Sequence, residues 1–255
     1  MDDHAEPPEV GSGSRLAFGS PLSAGRASRL TGELAAFKPS TIHDLGCGWG
    51  SLLLAIAAAV PSARATGVDK HPADVARGQA AAAAAGLADR VEFIEGDAAS
   101  HLRPADLVLN IGAWHALGTM TEALSALRGV VNPGGHLLFA AEYWERPPAE
   151  AELANMWPGI TADACCPIAE LADRTIAAGF RPLRIESVTR GEWEEFESGY
   201  AADREEWLLA HPDHPKADEV RAQLDEIRNI WLRGHRDIFG FAYLTLGVPV
   251  RNQRD

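Results

Sequence analysis

The stretch Asp44-Leu45-Gly46-Cys47-Gly48-Trp49-Gly50 decides the fold of this chain. It begins at the end of a short apolar segment, residues 41–46, that predicts a strand. It precedes residues 51–60, a helical segment that stops before Pro61. Glycines at such a junction permit a tight turn and let a ligand approach the backbone closely. The free N–H groups of the helix that follows suit an anionic group of that ligand.

Strands and helices alternate on both sides of this loop. Strands are predicted over residues 41–46, 63–69, 91–97, 105–112, 136–144, 180–190 and 238–248, and helices over residues 22–37, 51–60, 72–86, 119–130 and 166–179. This alternation predicts an α/β fold, a doubly wound and mostly parallel sheet with helices on both faces. Residues 191–236 interrupt the alternation and predict two helices around a break at residues 211–215.

The spacing of the glycines narrows the choice of ligand. The loop reads G-x-G-x-G, whereas a dinucleotide fingerprint reads G-x-G-x-x-G, and no Lys-Ser/Thr pair follows as in a nucleotide-triphosphate loop. The loop resembles that of the class I S-adenosylmethionine-dependent methyltransferases, whose first strand ends in acidic-x-Gly-x-Gly-x-Gly. The resemblance covers about residues 41–190 and 238–248. It implies seven strands with the last antiparallel, an N-terminal helix, a helical insertion before the last strand, and S-adenosylmethionine as cofactor.

The resemblance also assigns cofactor-binding roles. It implies that the three glycines hold the methionine part, that Asp69 binds the ribose hydroxyls and that Asp97 binds the adenine amino group beside the Ala98 N–H. We expect Cys47 to be a small packing residue and not a nucleophile. The residues predicted to bind the cofactor are Asp44, Gly46, Cys47, Gly48, Gly50, Asp69, Lys70, Asp97, Ala98 and Asn110.

Residues after the fourth and fifth strands are candidates for the catalytic edge, because ligands of such sheets bind beyond the carboxyl ends of the strands. His115 and Glu142 are the candidate catalytic residues, since either could take a proton from a nucleophile. The alternatives are that His115 only fixes its loop and that Glu142 is a solvated strand-end acid. The residues predicted to bind the substrate are Ser20, Trp114, His115, Tyr143 and Trp144, although the tryptophans could merely pack loop against helix.

Composition restricts the partners. The 255-residue chain has a net charge of −13, which disfavours nucleic acid and anionic membrane surfaces. No apolar run reaches the length of a membrane span, and three cysteines, two of them adjacent, do not form a disulfide framework. These features predict a cytoplasmic protein.

The run His211-Pro212-Asp213-His214 lacks a second ligand pair, so no metal is expected.

Nine of the thirteen net negative charges lie in residues 1–20 and 191–236. Residues 1–19 are therefore expected to be a disordered acidic tail and residues 20–255 a methyltransferase domain. Residues 191–236 would form a helical cap that closes the substrate pocket, or that packs on the sheet edge or on a second subunit of a homodimer. Residues 18–22 could be a lid or a simple helix entry.

The predicted function is methyl transfer to N or O of a small molecule. The alternatives are a protein or nucleic-acid methyltransferase and a non-catalytic cofactor-binding or assembly subunit.

Overall fold

Seven strands form one sheet in this computed structural model, which describes residues 6–250. They are β1 (Thr41–Leu45), β2 (Arg64–Asp69), β3 (Val91–Glu95), β4 (Ala105–Ile111), β5 (Val131–Trp144), β6 (Arg181–Ser187) and β7 (Phe239–Gly247). The order across the sheet is β3-β2-β1-β4-β5-β7-β6. The first five strands are mutually parallel, and β7 runs antiparallel to both β5 and β6. The predicted fold class is thereby confirmed.

Helices cover both faces of the sheet. They are α1 (Ala24–Ala36), α2 (Ser51–Ala59), α3 (Pro72–Ala84), α4 (Met120–Val130), α5 (Glu150–Leu153), α6 (Ile168–Ala177), α7 (Arg190–Ala210) and α8 (Ala217–Asn229). One core cluster joins the sheet to α1, α2 and α3, and a second joins it to α4 and α6. Both α4 and α7 begin with a threonine capping box, which satisfies backbone N–H groups of the first turn.

β1 and β4 are neighbours in the sheet. From β1 the chain adds β2 and β3 on one side, and from β4 it adds β5 on the other, so the strand order reverses between β1 and β4. A crevice opens at such a reversal, beyond the carboxyl ends of the strands, because the connections leave toward opposite sides. The loop after β1 and the loop after β4 therefore face each other there. This arrangement places the glycine loop opposite the segment that carries His115.

Two strand boundaries differ from those the sequence predicts. The strand predicted over residues 136–144 begins earlier, at Val131, because Val131 pairs with Ala105 before a register shift. β6 ends at Ser187, since Val188 and Thr189 lead directly into the capping box of α7. The inserted segment forms the two expected helices, α7 and α8, followed by a π-helical turn over Ile230–His235.

Residues 6–19 contact other elements, and the expectation of a disordered tail over residues 1–19 stays a prediction. Among residues 6–19, Leu16 is buried, and Arg204 of α7 donates a hydrogen bond to the Pro8 carbonyl at 2.8 Å. Composition suggested disorder because the segment has few apolar residues, but Leu16 and the backbone carbonyls find partners on other elements. The expectation for residues 1–5 lies outside the described residues. Between residues 6 and 250, no helix combines the length and apolar character that crossing a bilayer requires.

Candidate active site

In the glycine loop between β1 and α2, two glycines are in close contact with neighbouring side chains and one is not. A Cβ at Gly46 would collide with the Ala113 methyl group, and a Cβ at Gly50 would collide with the Phe93 ring. A Cβ at Gly48 would meet no atom within 4 Å, and its φ of 53° lies in the left-handed region. Gly46 and Gly50 therefore let neighbouring elements pack closely, while Gly48 leaves its backbone exposed to a ligand.

Two carboxylates lie beside this loop at the ends of β1 and β2. Asp69 accepts a 2.7 Å hydrogen bond from the Gly48 N–H through Oδ2 and a 2.9 Å bond from the His71 N–H through Oδ1. Burial and the neighbouring Asp69 charge raise the pKa of Asp44 to about 8. Each oxygen of Asp69 keeps a lone pair for a further donor. The pair therefore suits a ligand that carries hydroxyl donors and a positive charge.

A cavity of about 750 Å³ opens in front of the loop. This volume lies within the range of about 300–1,000 Å³ that is usual for small-molecule and cofactor sites. The site residues predicted from the sequence that line it are Ser20, Asp44, Gly46, Cys47, Gly48, Gly50, Asp69, Lys70, Asp97, Ala98 and His115. Asn110 is the predicted cofactor residue that does not. Its amide is buried and donates to the Leu45 carbonyl at 2.9 Å, so it joins β4 to β1 behind the cavity.

Residues 9–20, here named the N-terminal strap, cross the mouth of the cavity. On the side of α3, Arg77 donates hydrogen bonds to the carbonyls of Gly13 at 3.1 Å and Leu16 at 2.8 Å. Arg77 also stacks over the Trp49 ring at 4.0 Å, and Trp49 donates to the Ala17 carbonyl at 3.1 Å. The strap is thereby attached to the cofactor-binding half of the molecule.

On its other side, the strap is attached to α7. Ser14 donates a 2.7 Å hydrogen bond to Asp203, and Ser12 donates to the same carboxylate. Gly11 packs against the Tyr200 hydroxyl, and Tyr200 also lines the cavity. Contacts of Arg77, Tyr200 and Asp203 with the strap were not predicted from the sequence. Nothing in the local sequence marks these residues. Arg77 is a single arginine in an alanine-rich helix, and Tyr200 and Asp203 lie in an insertion that has many aromatic and acidic residues.

Known proteins share this architecture and this loop. The sequence profile of a family described as "Methyltransferase domain" matches residues 43–137. The uncharacterized protein YjhP of Escherichia coli K12 is 28% identical over 218 residues, which cover 84% of this chain and 88% of that protein. Its X-ray structure superimposes with a TM-score of 0.81 at 25% identity, covering 95% of this chain and 98% of that chain.

A second solved structure is that of an S-adenosylmethionine-dependent methyltransferase from Geobacter sulfurreducens in complex with S-adenosyl-L-homocysteine. It has a TM-score of 0.83 at 25% identity and covers 93% of this chain and 96% of that chain. Together, these matches indicate an S-adenosylmethionine-dependent methyltransferase with the class I fold. A shorter match is to trans-aconitate 2-methyltransferase of Streptomyces avermitilis. The two sequences are 33% identical over 103 residues, which cover 40% of this chain and 38% of that protein.

The cofactor of this methyltransferase is S-adenosylmethionine, as the glycine loop predicted. The residues present fit it, because Gly48 leaves its backbone open to a ligand and Asp69 offers carboxylate oxygens to hydroxyl donors in a cavity of suitable size. Cys47 also lines the cavity, but burial and the nearby Asp44 and Asp69 raise the pKa of its thiol. A thiol that stays protonated is a poor nucleophile, which agrees with the packing role expected of Cys47.

The two candidate catalytic residues of the methyltransferase lie on either side of Trp114. The Trp114 indole donates a 3.3 Å hydrogen bond to Glu142, and its ring lies 6.2 Å from that of His115. Burial raises the pKa of Glu142 above its ordinary value. His115 lines the cavity, whereas Glu142 and Trp114 lie behind this first layer.

Tyr143 and Trp144 do not line the cavity, and the substrate-binding role expected of them stays a prediction. Tyr143 points to the face opposite Glu142 and donates a 2.8 Å hydrogen bond to the Ser187 hydroxyl. The Trp144 indole donates to the Ala162 carbonyl at 2.7 Å and packs with Met156 and Ile238. The reason is that β5 continues through Trp144, which pairs with Phe239, so both residues belong to the strand and not to a loop.

Proposed function

We propose that this methyltransferase transfers the methyl group of S-adenosylmethionine to a nitrogen or oxygen atom of a small-molecule acceptor. The observation that carries the proposal is the strap, which lines one side of a cavity of about 750 Å³. The strap lies between Arg77 of α3 and Asp203 of α7, both of which hold it by hydrogen bonds. An acceptor must therefore fit beneath the strap, which suits a small molecule and not a nucleic-acid duplex or a folded protein.

Charge supports the same choice of acceptor. The chain has a net charge of −13, and carboxylates of Glu9, Asp74 and Asp203 lie at or beside the strap. The phosphate backbone of a nucleic acid would be repelled there. The relative from Streptomyces avermitilis is named for a small-molecule acceptor, trans-aconitate, and this too favours a small acceptor.

The residues that line the cavity have separate tasks in this proposal. S-adenosylmethionine supplies an electrophilic methyl group on a sulfonium. Asp69 accepts hydrogen bonds from the ribose hydroxyls, and Asp97 with the Ala98 N–H binds the adenine edge. The strap excludes water, so that alignment and desolvation provide much of the acceleration. His115 accepts the proton when the acceptor is a protonated hydroxyl or amine.

The cofactor role of Asp69 is tested by equilibrium binding. We expect Asp69→Ala to weaken binding of S-adenosylhomocysteine at least about tenfold, because two hydrogen bonds to a charged acceptor are lost. Asp89→Asn, an exposed carboxylate after α3, is the control and should leave the affinity unchanged. Calorimetric titration of the folded variants measures both. Undiminished affinity in Asp69→Ala would remove Asp69 from the site.

The acceptor class is tested by mass spectrometry of a metabolite extract incubated with the protein and S-adenosylmethionine. We expect one or a few small molecules to gain a methyl group, and we expect His115→Asn to slow the single-turnover step. Methylation confined to protein or nucleic acid added to the same reaction would contradict the small-molecule proposal. An unchanged single-turnover rate in His115→Asn would contradict the role of His115 as a base.

A further inference from the structure

We propose that Tyr200, on the inserted helix α7, binds the nucleoside half of S-adenosylmethionine by donating a hydrogen bond from its hydroxyl. The inserted segment then belongs to the cofactor site, whatever its role toward the acceptor. This inference goes beyond the proposed function and does not depend on the identity of the acceptor. It is carried by the place of Tyr200 in the cavity, by its free hydroxyl and by the neighbouring groups of α3.

Tyr200 brings α7 to the cavity. Of the inserted residues 191–236, all of which the structure describes, Tyr200 is the one that lines the cavity in front of the glycine loop. The ring of Phe196, one turn earlier on α7, lies 5.7 Å from that of Tyr200. On the strap, a Cβ at Gly11 would collide with the Tyr200 hydroxyl, and the φ of Gly11 is 79°. Glycine at this position therefore leaves room for the hydroxyl beside the strap backbone.

The hydroxyl of Tyr200 has no hydrogen-bond partner among residues 6–250, unlike the hydroxyls of the two other tyrosines. Tyr143 donates to the Ser187 hydroxyl at 2.8 Å, and the Tyr243 hydroxyl lies 2.9 Å from that of Ser20. Neither of these two tyrosines lines the cavity. A tyrosine hydroxyl usually has a partner when its ring is buried. Because Tyr200 is half-buried and lines the cavity, a bound ligand can supply that partner.

The Tyr200 hydroxyl is a hydrogen-bond donor at neutral pH. Burial raises its pKa above the ordinary value, and the nearby carboxyl groups of Asp74 on α3 and Glu197 on α7 raise it further. A protonated phenol donates one hydrogen bond, whereas a phenolate could only accept. Tyr200 is therefore suited to an oxygen or nitrogen atom of the ligand that accepts a hydrogen bond.

The groups near Tyr200 indicate which half of the cofactor it meets. Asp74 interacts electrostatically both with Tyr200 and with Asp69, and the intervening His71 and Ala73 also line the cavity. A ribose hydroxyl that donates its hydrogen to Asp69 keeps lone pairs that can accept a hydrogen bond from Tyr200. The nucleoside half of the cofactor is thus the part that suits Tyr200. This step rests on the ribose-binding role proposed for Asp69.

The same part of α7 holds the strap. Asp203, one turn after Tyr200, accepts a 2.7 Å hydrogen bond from Ser14 and another from Ser12. A ligand bound to Tyr200 would therefore restrain the turn of α7 to which the strap is attached. Amide hydrogen exchange in this turn should slow when the ligand binds.

Tyr200→Phe isolates the proposed contact, because it keeps the ring and removes a hydroxyl that makes no hydrogen bond within residues 6–250. The two ligands are S-adenosylhomocysteine and methylthioadenosine, which keeps the nucleoside and lacks the amino-acid part. We expect the affinity for each to fall about fivefold, the effect of one lost hydrogen bond. The melting temperature of the ligand-free protein should stay unchanged. Calorimetric titration of the full-length protein measures both affinities.

Ser198→Ala is the matched control, since it removes an exposed hydroxyl from the same helix and should leave both affinities unchanged. Unchanged affinity for S-adenosylhomocysteine in folded Tyr200→Phe would overturn the proposal. A loss confined to S-adenosylhomocysteine, with methylthioadenosine binding retained, would overturn the assignment to the nucleoside half.

Hydrogen exchange of the wild type decides the matter if Tyr200→Phe does not fold. Saturating S-adenosylhomocysteine and saturating methylthioadenosine should each slow exchange in residues 198–204, and unaltered exchange there would contradict the contact. Asp69→Ala in the same titrations shows separately whether the ribose-binding role of Asp69 holds. The small-molecule function stands or falls on the methylated product and not on these affinities.

Discussion

Asp44 shows how one buried side chain couples the cofactor site to the stability of the protein. Its carboxyl group is 4% exposed at the end of β1, and burial with the neighbouring Asp69 raises its pKa to about 8. The folded state therefore holds a proton that the unfolded chain has lost above its ordinary pKa of 3.8. By linkage, the ligand-free protein loses stability as pH rises from about 4 to about 8.

Asp44→Asn removes this titration and keeps the shape of the side chain. We expect its free energy of unfolding to depend less on pH than that of the wild type, by up to about 1.4 kcal/mol per pH unit, because one proton is no longer released. Urea unfolding at pH 5, 6, 7 and 8 measures the two slopes. Asp89→Asn changes the same charge on the surface and should retain the wild-type slope. Parallel slopes for Asp44→Asn and the wild type would mean that Asp44 does not titrate in this range.

The strap is the element on which access to the cavity depends. It makes no strand or helix pairing of its own, and its attachments are side-chain contacts to α3 on one side and to α7 on the other. Segments with few buried apolar contacts open at low free-energy cost. Leu16 is the buried apolar anchor among these residues, packed against Gly199 of α7.

Arg77→Ala removes two hydrogen bonds to the strap and one stacking contact with Trp49. We expect amide hydrogen exchange in residues 9–20 to accelerate about tenfold or more, since each lost contact contributes about 1 kcal/mol. Affinity for S-adenosylhomocysteine should fall in parallel, because the strap covers the cavity. Arg221→Ala, an exposed arginine on α8, is the matched control. Exchange that is unaltered in Arg77→Ala would show that α7 alone holds the strap.

At the scale of the whole molecule, one buried ion pair joins the inserted helices to the sheet domain. Glu192 of α7 accepts hydrogen bonds at 2.8 Å from two nitrogens of Arg26 and from the Ser23 hydroxyl, both at the start of α1. It also accepts the Thr189 N–H of its own capping box. These donors hold the pKa of Glu192 well below its usual range despite burial.

The expectation of a homodimer stays a prediction.

Glu192→Ala removes the nearest carboxylate from the Arg26 guanidinium, which keeps Glu186 at 3.4 Å. We expect the free energy of unfolding to fall by about 2 kcal/mol at pH 7, because several hydrogen bonds to a charged group are lost. Since the folded pKa of Glu192 is depressed, the difference is full above its unfolded pKa of 4.5 and shrinks as pH falls below that value. Chemical denaturation at pH 7 and pH 3 measures it. Glu195→Ala, exposed on the same helix, should cost far less, and equal losses would contradict a special role for Glu192.

The order of the strands and helices could be read from the sequence because each signal is local. Apolar runs such as residues 105–112 predict buried parallel strands, and Pro72 with Gly86 predicts the ends of a helix. The glycine loop predicts its own geometry for the same reason, since only glycine adopts such backbone angles at little cost. The fold class follows from those local signals, and the enzyme class and cofactor follow from the resemblance of the glycine loop to that of a known family.

Which strand-end side chains share a site could not be read in this way. Glu142 and Tyr143 are adjacent in sequence, yet the alternation of β5 and its pairing with β7 send them to opposite faces of the sheet. Arg77 and Gly13 are far apart in sequence, and only the packing of α3 beside the strap brings them together.

The sequence by itself therefore determined the fold class, because backbone preferences and hydrophobic period act over a few residues, and the cofactor followed from the resemblance of its glycine loop to that of a known family. The tertiary structure decided which distant segments line the cavity, because that depends on register and on contacts between them.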